Sequence, residues 1–160
     1  MTVVCGPAQP TPTEHGRAAL SLVPDAVRVI RAKGRIDAAG DFHPQAIYRF
    51  SPGTEGGWAQ AVSLLSAASI ALASDPPSHI LATGPIFGNF VVGRRLARHF
   101  GARLCLQYRD EWTVMRPSFV STFKGDVEVE RKCLAAADLL WFINDGQRAA
   151  YQQAFPELQS

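Results

Sequence analysis

Residues 79–108 read HILATGPIFGNFVVGRRLARHFGARLCLQY, and this stretch decides the fold. HILAT at 79–83 is a short apolar run stopped by Gly84-Pro85, which predicts a strand and a turn. Asn89 to Phe100 is predicted as a helix closed by Gly101. RLCLQY at 103–108 is the next strand. A helix fits between the two strands, and parallel strands need a crossover of about a dozen residues or more.

Downstream the unit recurs. A loop through Arg116-Pro117 leads to a helix from about Asp126 to Ala137, a strand DLLWFI at 138–143, and a short helix from Gln147 to about Ala154. Upstream, Ala59 to Ser74 is rich in Ala, Leu and Ser and predicts a helix stopped by Asp75-Pro76-Pro77, with small residues that let it lie close against a sheet. TVVC at 2–5 and VRVIR at 27–31 read as strands. Residues 6–14 carry three prolines and read as loop, and 34–57, Gly-rich and polar, read as a long connection of the kind that often serves function. The expected class is α/β: a Rossmann-like parallel sheet with helices on both faces and right-handed crossovers, in a single domain over 1–160.

Composition agrees with that size and class. A chain of 160 residues that is 47% hydrophobic is neither disordered nor in need of a disulfide or metal staple. Its 16 basic and 14 acidic side chains leave a net charge of +2, too small to imply a nucleic-acid partner. Cys5, Cys105 and Cys133 are scattered and read as free thiols of a reducing compartment. His15, His43, His79 and His99 show no pairing of the kind zinc requires, so no metal site is expected. The N-terminus has no basic start followed by an apolar run, and Ala59 to Ala73 is too short and too interrupted by serines to cross a bilayer. A cytoplasmic location is the expectation, without a signal peptide or transmembrane segment.

In an open α/β sheet, ligands bind beyond the carboxyl ends of the strands. Three turns therefore matter: Thr83-Gly84-Pro85, Tyr108-Arg109-Asp110-Glu111-Trp112 and Asn144-Asp145-Gly146. The first enters a helix through Phe87-Gly88-Asn89, and its glycines either admit a ligand close to backbone N–H groups or simply form the turn. The spacing matches neither a dinucleotide fingerprint nor a P-loop. The second places three charges and an indole at a strand end. Arg109 and Asp110 are expected to bond each other, the loop backbone or a ligand, and Asp110 serves either as a general base for a hydroxyl or as a brace. Trp112 either stacks on a sugar or packs on the loop. Asn144 reads chiefly as a helix cap. Arg94, Arg95, Arg98, His99 and Arg103 form a basic helical patch, read as a solvated face, with a phosphate-binding or peripheral membrane-surface role as the minor alternative. Glu128, Glu130, Arg131 and Lys132 read as an exposed, ion-paired helix face.

The order of these motifs is similar to one known family. Gly57-Trp58, ATGPIFGNF at 82–90 with VVGRRLARHFGARL, QYRDEW at 107–112, ERKCLAAADLLWFIN at 130–144 and GQRAAYQQAFP at 146–156 resemble the N-terminal domain of family-4-like glycosyltransferases, retaining enzymes of the GT-B architecture. The resemblance covers 57–156 well and 1–33 more loosely. It implies an acceptor-side domain whose cleft wall falls on Thr83, Gly84, Pro85, Asn89, Arg109, Asp110, Trp112 and Asn144, with Asp110 the catalytic candidate and no metal. A nucleotide-sugar is the implied donor of the complete enzyme, and a hydroxyl-bearing sugar or glycolipid the implied acceptor.

Two departures accompany the match. The family's first strand, with its Gly-rich turn and helix, has no counterpart before TVVCGPAQPTPTE, and no donor domain with an E-x7-E signature follows Ser160. In the family's sheet that first strand lies between the strands matching 2–5 and 79–83. The expectation is that these strands pair directly, placing Val3 beside Ile80, or recruit an edge from another molecule, or leave the chain marginally stable. The leading functional expectation is the acceptor-side half of a retaining glycosyltransferase, inactive alone, either split from a separate donor-domain chain or a gene fragment. The alternative is a non-catalytic Rossmann-like binding or interaction module. A nucleotide-dependent oxidoreductase ranks below both for want of a glycine fingerprint.

Overall fold

A computed structural model describes residues 1–5, 26–31, 55–84, 86–115 and 125–158. The described elements are β1 (Thr2–Cys5), β2 (Arg28–Arg31), α1 (Glu55–Ala71), β3 (His79–Thr83), α2 (Gly88–Phe100), β4 (Arg103–Tyr108), α3 (Asp126–Leu134), β5 (Leu139–Phe142) and α4 (Asp145–Ala154), then a 3-10 turn at Pro156–Leu158. Every strand pairing among the described residues is parallel. The fold is α/β and Rossmann-like.

β3 and β4 fall where the sequence predicts. α1 starts at Glu55, inside the stretch read as loop, because Gly56 and Gly57 are poor helix formers and mask its beginning. α4 starts at Asp145 because the Asn144 side chain accepts a hydrogen bond from the Gln147 N–H at 2.8 Å and so caps the helix. The predicted loops at 6–14, 34–54 and Arg116-Pro117 lie outside the described residues, as does Pro85.

The strands form two ladders, β1–β2 and β3–β4–β5. Val3 pairs with Val29, and Ile80 with Leu104. Direct pairing of β1 with β3, the first of the three expected outcomes, is therefore not formed. The helix layer joins the ladders instead: Val4 of β1 and Ile80 of β3 both pack against buried Ala61, Leu64 and Ala68 of α1 and Val92 and Leu96 of α2. These α1 positions recur at helical spacing, one face toward the sheets. Among the described residues, β1 and β3 each keep one unpaired edge.

All four described helices cover the same side. Ala82, Leu104, Leu106 and Tyr108 from the strands pack with Phe90 and Val91 of α2, Cys133 and Leu134 of α3, and Tyr151 of α4. The expectation of helices on both faces is thus met on one face by the described residues. α2 ends at Gly101, whose φ of 65° is the left-handed conformation that a helix C-cap requires and glycine adopts without strain.

Gly93 sets the distance between α2 and the sheet. A Cβ at that position would lie 2.8 Å from the Ala82 Cβ and 3.3 Å from Leu104 Cδ1. The Leu104 methyl can swing aside, but the Ala82 Cβ is fixed to the strand backbone, so the helix itself must move. Overpacking costs about 1–3 kcal/mol, against roughly 1 kcal/mol gained in helix propensity. Gly93→Ala should therefore lose about 1 kcal/mol, lowering Tm by about 2–4 °C, and Gly93→Val should lose more. Thermal unfolding followed by circular dichroism checks this, and an alanine variant more stable than the parent would contradict it.

Candidate functional site

The carboxyl ends of β3, β4 and β5 sit side by side, because the three strands are parallel and in register. At the end of β3 the Gly84 N–H donates to the Gln107 carbonyl at 3.0 Å, and Asn89 Nδ2 donates to the Thr83 carbonyl at 3.0 Å. Thr83, Gly84 and Asn89 thus form one closed turn leading into α2. Packing at Gly84 is close: a Cβ there would lie 3.0 Å from the Phe87 ring, which would have to give by a few tenths of an ångström. Its lack of a side chain makes room for an aromatic ring of the core.

The next turn, 109–115, is built on a buried carboxyl group that sequence reading placed on an exposed face. Glu130 is fully buried. Its Oε1 accepts from Tyr108 Oη and Tyr151 Oη, both at 2.9 Å, and its Oε2 accepts from the Thr113 N–H at 3.1 Å and from Thr113 Oγ1. Tyr151 Oη in turn accepts from the Trp112 N–H at 3.0 Å. One side chain of α3 therefore ties together β4, the turn after it and α4. Only Glu130 of the cluster Glu128, Glu130, Arg131 and Lys132 faces inward. Glu128 pairs with Lys132 at 3.2 Å and with Arg131 at 3.8 Å, and Arg131 also reaches Glu157 at 3.2 Å, all on the exposed side of the helix.

Burial raises the Glu130 carboxyl above its ordinary value, against the opposing pull of the donors from Thr113, Tyr151 and Tyr108. Burial likewise drives the Tyr108 and Tyr151 hydroxyls upward, reinforced by Glu130. Cys133, beside them in the core, is pushed up to about 12 by burial and is an inert thiol.

Trp112 is fully buried. Its indole stacks on Phe87 at 5.0 Å with an interplanar angle of 3°, and Phe90 meets it edge-on at 6.4 Å. It has no free face for a sugar, so the packing alternative holds and the stacking one does not. Arg109 is exposed and Asp110 half-buried. Among the described residues these two charges make no ion pair with each other, contrary to one of the expected arrangements. Partial exposure lets water solvate them, so no protein partner is needed. Met115 closes the turn at φ 48°, a left-handed conformation unusual for a side chain of this type, two residues after the Thr113 anchor.

At the end of β5, Asn144 is committed to capping α4, and Gln147 Oε1 accepts from the Ile143 N–H at 3.1 Å. The structure thus seats Thr83, Asn89, Arg109, Asp110 and Asn144 at one end of the sheet, and only Arg109 and Asp110 have their charged groups uncommitted. A hydroxyl-rich ligand can accept from Arg109 and donate to Asp110 there. Among the described residues no cluster of metal-ligating side chains occurs, and no helix is long and apolar enough to cross a membrane.

No protein-family model matches the sequence, and no curated protein matches it. Among solved structures, the calicheamicin glycosyltransferase CalG4 is similar at 16% identity and a TM-score of 0.40, over 92% of this chain and 33% of that one. The chain spans about a third of that protein's length.

The buried carboxyl has a measurable signature. A group whose folded pKa lies above its unfolded value contributes stability that is present below the unfolded value, here about 4.5, and is lost as pH rises through the folded value. The stability of the parent chain relative to Glu130→Gln should therefore decline as pH rises from about 4.5, in urea unfolding at a series of pH values. A difference that grows with pH would contradict the assignment. Glu130→Ala, which strips the acceptor from four donors, should cost about 3 kcal/mol or more at any pH.

Proposed function

We propose that the chain is the acceptor-side half of a retaining glycosyltransferase that moves a sugar from a nucleotide-sugar to a hydroxyl acceptor. The observation that carries this reading is the pair Arg109 and Asp110, two uncommitted charges held at the carboxyl end of β4 on a turn fixed from below. The motif order over 57–156 supports the same reading. The Asp110 carboxylate accepts a hydrogen bond from the acceptor hydroxyl and takes its proton as that oxygen bonds to the anomeric carbon. The bond forms on the same face from which the nucleoside diphosphate leaves, its C1–O bond breaking, so that the configuration is retained. Arg109 donates to a neighbouring oxygen of the same acceptor. The donor nucleotide-sugar is held by a second domain, so this chain alone binds acceptor without turning it over.

A non-catalytic interaction module is the second reading, favoured by the apolar sheet face that the described helices leave bare, with Leu81 58% and Trp141 54% exposed. Acceptor titration followed by backbone NMR distinguishes the two. Under the enzyme reading, a panel of soluble sugars and glycolipid headgroups contains at least one that shifts the amides of 83–84, 89 and 109–112. Asp110→Asn should weaken that binding about tenfold, the equivalent of one hydrogen bond to a charged group. Its unfolding midpoint should stay where it was, since Asp110 holds no internal bond. Shifts elsewhere on the molecule, or none across the panel, would favour the module. Sugar transfer by this chain alone would contradict the division of labour between two domains.

A further inference from the structure

We propose that the face of the sheets left bare by the described helices is a self-association surface, on which a second copy of this chain packs its own sheet face to face with the strands of the two copies running in opposite directions. Val4 and Ile80 point into the helix layer. Side chains alternate along a strand, so Val3, its register partner Val29, and Leu81 point the other way. Leu81, Cys105 and Leu139 lie in one row across β3, β4 and β5, and Thr83, Gln107 and Trp141 in the next. Leu81 and Leu139 are each 58% exposed, Trp141 54%, Ile143 58%, and Val3 and Val29 about 40%. Parallel sheets in α/β proteins are normally covered on both faces, and their strands are apolar on both sides for that reason.

Area and shape select the occupant. At about 200 Å² for a fully exposed large side chain, these six residues offer roughly 600 Å² of apolar surface. That stands at the upper end of the largest patches found on monomers, about 300–600 Å². With Thr83, Cys105 and Gln107 between them, the face approaches the roughly 800 Å² per partner of a stable interface. One helix is only about 10–12 Å across. The ladder β3–β4–β5 alone is about 14 Å wide at about 4.8 Å per strand, and the β1–β2 ladder extends the face further. A second sheet covers the full width at once, about 10 Å away.

Charge then sets the orientation. His79 and Arg103 are register partners at the amino end of this face. Opposed strand directions carry the two basic ends apart and set each against the other copy's carboxyl end, where Arg109 is accompanied by Asp110 and Glu111, whereas a common direction would stack them. A two-fold axis in the interface plane gives that arrangement, the commonest form of oligomer symmetry.

Sedimentation velocity of the full chain over roughly 1 µM to 1 mM tests the proposal. A monomer–dimer equilibrium is expected within that range. Trp141→Glu and Leu139→Lys should each leave a monomer at every concentration, with circular dichroism and unfolding midpoint unchanged. Cys105 separates a face from an edge because it lies on the central strand of its ladder. In a Cys5→Ser background, where buried Cys133 does not react, a bulky maleimide on Cys105 should block association. A parent chain that stays monomeric throughout overturns the proposal, and so does a dimer that survives both substitutions and the label, which would point to the open strand edges. A monomer that floats with phospholipid vesicles overturns it in favour of a lipid surface.

Discussion

A single buried carboxyl group organises the carboxyl end of the sheet, where the candidate site lies. Glu130 receives four donors, from β4, α4 and the intervening turn, and each of those elements would otherwise carry an unsatisfied polar group into the core. Tyr108 and Tyr151 bring their rings into the aromatic cluster around Phe142 and Phe90, so the same residues that satisfy the carboxyl also fill the core. Desolvation of the carboxyl costs free energy, and the four donors offset part of that cost. What the arrangement secures is geometry: a turn with fixed backbone directly after β4.

That geometry explains the division of roles within Arg109-Asp110-Glu111-Trp112-Thr113. Trp112 and Thr113 face down and are locked, the first by stacking on Phe87 and the second by Glu130. Arg109 and Asp110 lie at the start of the turn with their charges free. Sites on rigid elements hold their groups more closely than sites on loose loops, and here the rigidity is imported from α3 and α4. Thr83, Asn89 and Asn144, by contrast, spend their polar atoms on closing turns and capping helices.

Much of the fold is legible in the residues. β3 and β4 are bounded by Gly84 and Gly101, and both glycines stand where the structure has a turn. The feature that the sequence misplaces and the one that it leaves open share a cause. Glu130 sits in EVERK, where charge pattern alone cannot tell which of four charged residues faces inward. The sign available in sequence is its offset of three residues from Cys133, which puts both on the apolar side of α3. For Trp112 the sequence leaves stacking on a sugar and packing on the loop both open, because its burial depends on Phe87, 25 positions earlier in the chain. Contacts of such sequence separation leave no local signature. The separation of the strands into two ladders is likewise invisible locally, since β1 and β3 are each good strands whichever neighbour they take.

Amide hydrogen exchange at residues 112 and 113 tests most directly whether the Glu130 carboxyl holds this turn. The Trp112 N–H is bonded to Tyr151 Oη and the Thr113 N–H to Glu130 Oε2, so both should exchange as slowly as the amides of β4 in the parent chain. In Glu130→Gln both should lose protection together while the amides of β3 keep theirs. Rapid exchange of the two amides in the parent, or their continued protection in the variant, would contradict it.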